Sequence, residues 1–149
     1  MAFPVANAEI SLPGPAGALQ AYAEFPSTHD AATPIAVICH PHPPDGGSMH
    51  NKVVSTIAKA FNDCGYIALR FNFRGVGSSE GSYDQGRGEL ADCRAVIDWV
   101  ITRRSQSALA LAGFSFGAWV ALKAAESYSS AVMVSIAPPV GFRDFGDVQ

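Results

Sequence analysis

A serine held between two glycines, at the point where two apolar segments meet, constrains the fold of this chain more than any other feature. The segment from Ala108 to Ala112 is a short apolar run, typical of a strand that is buried on both faces. Gly113 to Gly117 then reads G-x-S-x-G, and the apolar run from Ala118 to Ala125 follows at once. The sequence predicts a strand, a sharp turn with Ser115 at its tip, and a helix.

The residue types at this turn predict a nucleophile. A strand that turns sharply into a helix crowds its own backbone. Gly113 and Gly117 avoid a clash there because glycine has no side chain. Ser115 is expected in a strained, exposed position, and such strain is usually kept where it serves a site. The helix N-terminus adds a positive partial charge, and the N–H of Phe116 is expected to stabilise an oxyanion. The alternative is a chance match in a chain with 14 glycines, which the flanking strand and helix disfavour.

The rest of the chain alternates between predicted strands and helices. A hairpin comes first, and the alternation after it predicts an α/β fold, a mostly parallel sheet with helices on both faces, in one domain over residues 1–149. Loops that leave the carboxyl ends of parallel strands converge at one edge, where ligands bind. The predicted strands are Ala8–Leu12, Leu19–Phe25, Ile35–Cys39, Tyr66–Phe71 and Ala131–Ile136, and the longer helices are Asn51–Cys64 and Arg87–Arg104.

Charge and composition exclude several classes of function. The net charge of −3 and the lack of a basic run argue against nucleic-acid binding. No apolar run approaches the length of a bilayer span, and the N-terminus lacks the pattern of a signal peptide, so no membrane partner is expected. Three widely spaced cysteines without C-x-x-C indicate reduced, buried thiols and a cytoplasmic protein.

The sequence gives no sign of a cofactor or a metal. His40-x-His42 with Cys39 and His50 is a candidate metal site, but the ligand spacing is loose and the prolines constrain the loop, which disfavours a metal. Arg74-Gly75-Val76-Gly77 follows a strand, but its third glycine is misplaced and no helix begins there, so it does not fit a dinucleotide-binding loop. We therefore expect neither a cofactor nor a metal.

Several segments together resemble the α/β-hydrolase superfamily. Their order and spacing are most similar to small bacterial hydrolases related to dienelactone hydrolase and to the catalytic domain of Xaa-Pro dipeptidyl-peptidases. The resemblance covers nearly the whole chain. Its segments are His40-Pro41-His42-Pro43 with Gly46-Gly47, Asn51 to Val54, Arg70 to Ser79, Gly113 to Gly117, and Ala137-Pro138-Pro139.

The resemblance implies a role for each matching position. Ser115 corresponds to the nucleophile, and the His40 to Asp45 loop to the one that gives a second oxyanion-hole N–H besides Phe116. The prolines of that loop have no N–H, which leaves His42 or Asp45 as the donor, and we favour His42. The residues implied to line the site are His40, Asp45, Arg74 and Phe114.

A base for the nucleophile is missing from the pattern. In this superfamily the acid and the histidine follow the serine along the chain, but the four histidines here, at 29, 40, 42 and 50, all precede Ser115. The resemblance thus implies an N-terminal portion of the fold, lacking the C-terminal strands and helices. The expected activity is serine hydrolysis of an ester, thioester or amide, incomplete in this chain alone. His40 or His42 as a substitute base, and an inactive fragment or a binding or assembly module, are the alternatives.

The last predicted strand indicates an edge of the sheet where another chain can pair. Ala131–Ile136 is apolar and would lack an outer neighbour, and an open apolar edge favours pairing with another chain. We expect a small-molecule acyl substrate, and self-association or a partner chain at this edge.

Overall fold

The computed structural model describes residues 1–130 and 132–139, and a six-stranded sheet forms its centre. Strands and helices alternate after the initial hairpin, as the sequence predicts. The elements are β1 (Ala8–Gly14), β2 (Gly17–Glu24), β3 (Ile35–Cys39), α1 (Lys52–Asp63), β4 (Ile67–Phe71), α2 (Arg87–Arg103), β5 (Leu109–Phe114), α3 (Phe116–Ala125) and β6 (Val132–Ile136).

The strand order across the sheet is β1-β2-β4-β3-β5-β6. β1 pairs with β2, and β2 with β4, in antiparallel orientation, whereas β4, β3, β5 and β6 are mutually parallel. Every residue of β3 and β4 is buried, because apolar layers cover both faces of the central strands. The prediction of a mostly parallel α/β sheet is confirmed.

The helices are divided unequally between the two faces of the sheet. α2 and α3 cover one face, where Val96 and Val120 join a core cluster with Val37. α1 lies on the opposite face, where Ile57 joins a second cluster with Ile38. The α1 face is therefore the more thinly covered of the two in the described part of the chain.

Some boundaries differ from those expected. The hairpin continues to the pair Gly14–Gly17, so three residues of the turn expected over residues 13–17, namely Pro13, Gly14 and Gly17, lie in the ladder. Pro43–Asp45 forms a short 3-10 turn within the expected loop, because Asp45 N–H reaches back to the His42 carbonyl. β5 runs through Phe114, since it keeps pairing with β6 up to the serine.

The outer strand β6 lies at the sheet edge among the described residues. Val132 and Ile136 are each 37% exposed there, which agrees with an open apolar edge. Ala131 and residues 140–149, expected as strand start and loop, lie outside the described residues.

The cysteines do not share one environment. Cys39 and Cys93 are buried with their sulfurs 3.6 Å apart and are free thiols. Desolvation raises the pKa of Cys39 well above its usual value. Cys64 is exposed, so the expectation that all three thiols are buried is wrong. Cys64 ends α1 as its C-cap residue, where the side chain is no longer held against the sheet.

Within residues 1–130 and 132–139, no helix combines the length and the apolarity needed to cross a bilayer.

Candidate active site

Ser115 stands at a backbone turn that few non-glycine residues adopt. It lies between the last residue of β5 and the first of α3, with φ 54° and ψ −120°. A side chain in this region costs free energy that the surrounding structure must supply. Its side chain is half-buried and makes no capping hydrogen bond to the first turn of α3. The hydroxyl is therefore held at the helix N-terminus without serving as a cap.

Two close backbone approaches explain the flanking glycines. A Cβ at Gly113 would overlap the carbonyl of Gly117. A Cβ at Gly117 would overlap the carbonyl oxygens of Cys39 and His40. Both positions require glycine because backbone meets backbone, so the first turn of α3 sits directly on the carboxyl end of β3.

The first turn of α3 supplies donors close to the serine. Ala118 N–H donates to the Ser115 carbonyl over 2.9 Å, which begins the helix at this residue. Ser115 N–H donates to the Ile136 carbonyl of β6, also over 2.9 Å, and this bond fixes the turn to the neighbouring strand. Phe116 is the first helical residue, and amides in the first turn point outward from the N-terminal end, where negative charge is favoured.

The loop after β3 brings His42 against the start of α3. The His42 ring meets the Phe116 ring edge-to-face, with centroids 5.4 Å apart. Its Nδ1 lies 2.9 Å from Asp45 Oδ2, and its Nε2 lies 2.9 Å from the Tyr83 hydroxyl. Asp45 N–H donates to the His42 carbonyl over 3.1 Å. The ring of His42 is thus fixed on both sides, and the amide of Asp45 is used within the loop.

His40 is a buried structural histidine. Phe73 N–H donates to its Nε2 over 3.0 Å, which puts the ring proton on Nδ1, and Nδ1–H donates to the Pro41 carbonyl over 2.7 Å. Burial lowers the pKa of His40 to about 4, so the ring is neutral at pH 7. His40 therefore joins the His42 loop to the segment that follows β4, and both its nitrogens are occupied.

Arg74 is held by a buried carboxylate on α2. Its Nη2 lies 2.8 Å from Asp92 Oδ1, and its backbone N–H donates to Asp92 Oδ2 over 3.0 Å. The same carboxylate raises the pKa of the guanidinium. The charge of Arg74 is thus balanced by Asp92, and its place at the border of a site stays a prediction.

The other predicted residues are divided between the two faces of the sheet. Phe114, at the end of β5, packs with the α1-side cluster, whereas the rings of Phe116 and His42 lie on the α2 and α3 side. Asp45 is largely exposed, at 82%, with its carboxylate on His42. The roles predicted for Phe114 and Asp45 remain predictions.

Sequence reasoning missed three residues that hold this region together. Tyr83 contacts His42 and comes from a long loop without periodicity, so no local signal indicates it. Asp92 is one carboxylate in a helix with several polar residues. Asn72 accepts from Met49 N–H over 2.8 Å and ties the end of β4 to the segment before α1. Its position directly after a buried strand was the available signal.

The arrangement can support attack on a carbonyl at one edge of the sheet. A strained serine, the N-terminus of α3 and the His42 loop meet at the carboxyl ends of β3 and β5. The N-terminal end of a helix favours negative charge nearby.

Comparisons with known proteins identify the family and the fold of the chain. The family model described as X-Pro dipeptidyl-peptidase (S15 family) matches residues 18–147. An uncharacterised protein of Rickettsia prowazekii is 46% identical over 118 residues, a match that covers 77% of this chain and 48% of that protein. The chain thus spans about half the length of this curated relative.

Two solved structures are similar to nearly the whole of this chain. An α/β serine hydrolase without a lid from Xanthomonas campestris has a TM-score of 0.92 and 49% identity, and the match covers 100% of this chain and 69% of that one. An α/β serine hydrolase homologue from Coxiella burnetii has a TM-score of 0.91 and 43% identity, with 98% and 70% covered. The chain belongs to the X-Pro dipeptidyl-peptidase (S15) family and has the α/β serine hydrolase fold.

Proposed function

We propose that this chain carries the nucleophile and the oxyanion hole of a serine hydrolase that cleaves an ester, thioester or amide of a small acyl substrate. The observation that carries the proposal is the backbone of Ser115, a non-glycine residue at φ 54° between β5 and α3. A strained serine at a strand-to-helix turn is the geometry of a nucleophile elbow. Structural neighbours that are α/β serine hydrolases support the same class of reaction.

The oxyanion hole is formed by two backbone amides, those of Phe116 and His42. Phe116 follows the nucleophile directly and opens α3. Of the two donors that the sequence leaves open in the His42 loop, Asp45 already donates to the His42 carbonyl, which favours His42. Each such donor is worth about 10²–10³ in kcat where it has been removed from a serine enzyme.

The reaction proceeds through an acyl-enzyme. Ser115 Oγ bonds to the carbonyl carbon while its proton passes to a base, and the carbonyl electron pair moves to the oxygen. The tetrahedral intermediate collapses, the bond to the leaving group breaks, and the leaving group departs with that proton. Water then attacks the acyl carbon by the same steps, which releases the acid and restores the hydroxyl.

The base is supplied from outside residues 1–130 and 132–139. His40 has both ring nitrogens in hydrogen bonds, and its lowered pKa leaves it a weak proton acceptor. The two nitrogens of His42 face Asp45 and Tyr83. Neither ring is available to Ser115 in this arrangement. The chain alone is therefore proposed to acylate slowly and to turn over poorly.

Labelling with a fluorophosphonate tests the proposal. The reagent phosphonylates an exposed, activated serine, and an oxyanion hole with binding alone retains roughly 10³–10⁴-fold of catalysis over water. We expect one adduct, located at Ser115 by peptide mass spectrometry, on protein whose circular dichroism shows it folded. Ser115→Ala should abolish the adduct, whereas Ser127→Ala, at an exposed serine beyond α3, should leave it unchanged.

The competing proposal is a hydrolase-fold module that binds or assembles without turnover. The engagement of both candidate histidines favours it for the chain alone. Folded protein that gives no adduct, or an adduct that persists in Ser115→Ala, would support this module and contradict the hydrolase. A cytoplasmic location stays a prediction in both cases.

A further inference from the structure

Three aromatic rings meet beside Ser115, and two of them belong to the residues whose amides are the proposed oxyanion donors. The centroid of the Tyr83 ring lies 5.3 Å from that of His42 and 6.1 Å from that of Phe116. The His42 and Phe116 centroids are 5.4 Å apart. Tyr83, which comes from the long loop between β4 and α2, therefore contacts both donor residues at once.

A hydrogen bond joins Tyr83 to the His42 ring. His42 Nδ1 lies 2.9 Å from a carboxylate oxygen of Asp45, and an ionised carboxylate accepts but does not donate, so Nδ1 carries the ring proton. In the neutral ring Nε2 is then an acceptor, and the Tyr83 hydroxyl donates to it over 2.9 Å. The planes of the two rings meet at 89°. This hydrogen bond and the edge-to-face contact fix both the position and the orientation of the His42 ring.

The His42 ring is connected to its own amide through a stiff loop. Pro41 has a fixed φ, and Pro43 restricts the backbone of the residue before it, which is His42. The His42 carbonyl accepts from Asp45 N–H over 3.1 Å and from Gly47 N–H over 3.0 Å, which closes the loop. A displacement of the ring would therefore move the backbone of the loop and the His42 N–H with it.

The segment that carries Tyr83 is anchored by a buried carboxylate. Glu89 of α2 is fully buried, and its two oxygens accept from Asp84 N–H over 3.0 Å and from Gly86 N–H over 2.8 Å. Hydrogen bonds to an ionised acceptor are stronger than those between neutral groups. Gly86 also packs closely on α3, because a Cβ added there would lie 2.9 Å from the Trp119 ring. Tyr83 thus stands next to a segment fixed to α2 and α3.

Backbone strain in the same segment supports a functional role. Gln85 has φ 58°, a conformation that few non-glycine residues adopt. Its side chain is exposed, so the strain serves the course of the backbone and not the packing of that side chain. Such strain persists where the surrounding structure imposes it, and it clusters at functional sites. Ser115, on the other side of the three rings, is strained in the same way.

We propose that Tyr83 is a positioning residue that fixes the His42 amide relative to the Phe116 amide, so that both donate to one oxyanion; this inference rests on the proposed function. Donors of an oxyanion hole act when they lie about 2.7–3.1 Å from the position that the oxyanion takes. A misplacement of about 1 Å can lower a rate by about 10²-fold. Tyr83 acts through His42 and needs no contact with the reacting atoms.

Tyr83→Phe tests the proposal, because it removes the hydroxyl and keeps the ring. The rate of fluorophosphonate labelling of Ser115, measured over a range of reagent concentrations, gives the apparent affinity KI and the limiting rate constant kinact. We expect kinact to fall by about tenfold and KI to change by less than about twofold, since the amide donor is displaced and not removed.

Tyr128→Phe is the matched control. The Tyr128 hydroxyl also donates to a carboxylate, over 2.8 Å to Asp98 Oδ1, but it lies beyond the C-terminal end of α3, opposite the end that holds Ser115. Each variant loses one tyrosine hydroxyl hydrogen bond, so a general loss of stability affects both. Tyr128→Phe should leave kinact and KI unchanged.

Two further readouts separate positioning from a merely structural role. Partial unfolding lowers the final extent of labelling, whereas a displaced amide lowers the kinact of the folded protein. Heteronuclear NMR on isotope-labelled protein observes the His42 ring Nε2 and the His42 backbone N–H directly. Tyr83→Phe should shift both signals, and Tyr128→Phe should shift neither.

The outcomes distinguish this inference from the proposed function. If kinact is the same in Tyr83→Phe as in the unaltered protein, or if the His42 N–H signal does not move, the positioning role of Tyr83 is overturned while Ser115 remains the nucleophile. A lower extent of labelling at an unchanged kinact overturns it as well, because the role is then structural. Unaltered, folded protein that forms no adduct at Ser115 contradicts the proposed function itself, and the inference with it.

Discussion

Replacement of Ser115 by glycine is expected to stabilise the fold relative to replacement by alanine. Both variants lose the hydroxyl, but alanine keeps the Cβ at φ 54° and ψ −120°. A non-glycine residue in such a region costs about 1–3 kcal/mol. Glycine gains about 0.4–1 kcal/mol of unfolded-state entropy, which acts against it. The net difference is about 1 kcal/mol in favour of Ser115→Gly.

Thermal or urea unfolding followed by circular dichroism measures this difference. At this chain length, about 1 kcal/mol corresponds to a Tm difference of about 2–4 °C. Ala60→Gly, at an exposed position inside α1, is the control, and it should destabilise by about 1 kcal/mol because its backbone is helical. A Ser115→Gly variant that melts at or below Ser115→Ala would refute the inference that the turn is strained.

Three further substitutions test the supports of the site by urea unfolding. Gly117→Ala should lower the free energy of unfolding by roughly 3 kcal/mol, since its Cβ would overlap two carbonyls. Gly46→Ala is the control, because its Cβ meets open space and it should cost only about 1 kcal/mol of backbone strain. Equal losses of stability in the two variants would contradict the close packing at Gly117. Burial lowers the pKa of His40 to about 4. The neutral ring therefore contributes about 3 kcal/mol to the free energy of unfolding above pH 6.5, and this contribution is lost as the pH falls through 4. His40→Gln keeps an acceptor for Phe73 N–H and should lack this pH-dependent contribution. If the stability lost between pH 7 and pH 4 is the same in His40→Gln as in the unaltered protein, His40 is not a neutral, buried ring. Arg74→Ala should cost about 3 kcal/mol by leaving the Asp92 carboxylate buried without its cation, and a loss under about 1 kcal/mol would contradict that pairing.

The sheet could be predicted from the sequence because its signals are local. The apolar runs of β3 and β5 have the length and flanking turns of buried strands, and the structure has strands there. Asn51 is a residue type favoured as a helix N-cap, and its side chain accepts from Val53 N–H over 2.9 Å at the start of α1. The sequence does not define the ends of the hairpin, because the extent of its ladder depends on cross-strand pairing rather than on the residues of one strand.

The supports of the candidate site could not be predicted in the same way. Tyr83 and His42 are 41 positions apart, and Arg74 and Asp92 are 18 apart, so each pair forms only when the loops converge. Burial of His40 also depends on tertiary packing. The buried ring connects two loops, because it accepts from Phe73 N–H and donates to the Pro41 carbonyl. The open face beside α1 follows from how far one helix extends over the sheet, which no motif encodes.

A crystal structure of the fluorophosphonate-treated protein tests the central proposal most directly. The account predicts phosphorus bonded to Ser115 Oγ, with the phosphonyl oxygen about 2.7–3.1 Å from the backbone nitrogens of Phe116 and His42. A phosphonyl oxygen directed away from these two amides, or an adduct on another residue, would contradict it.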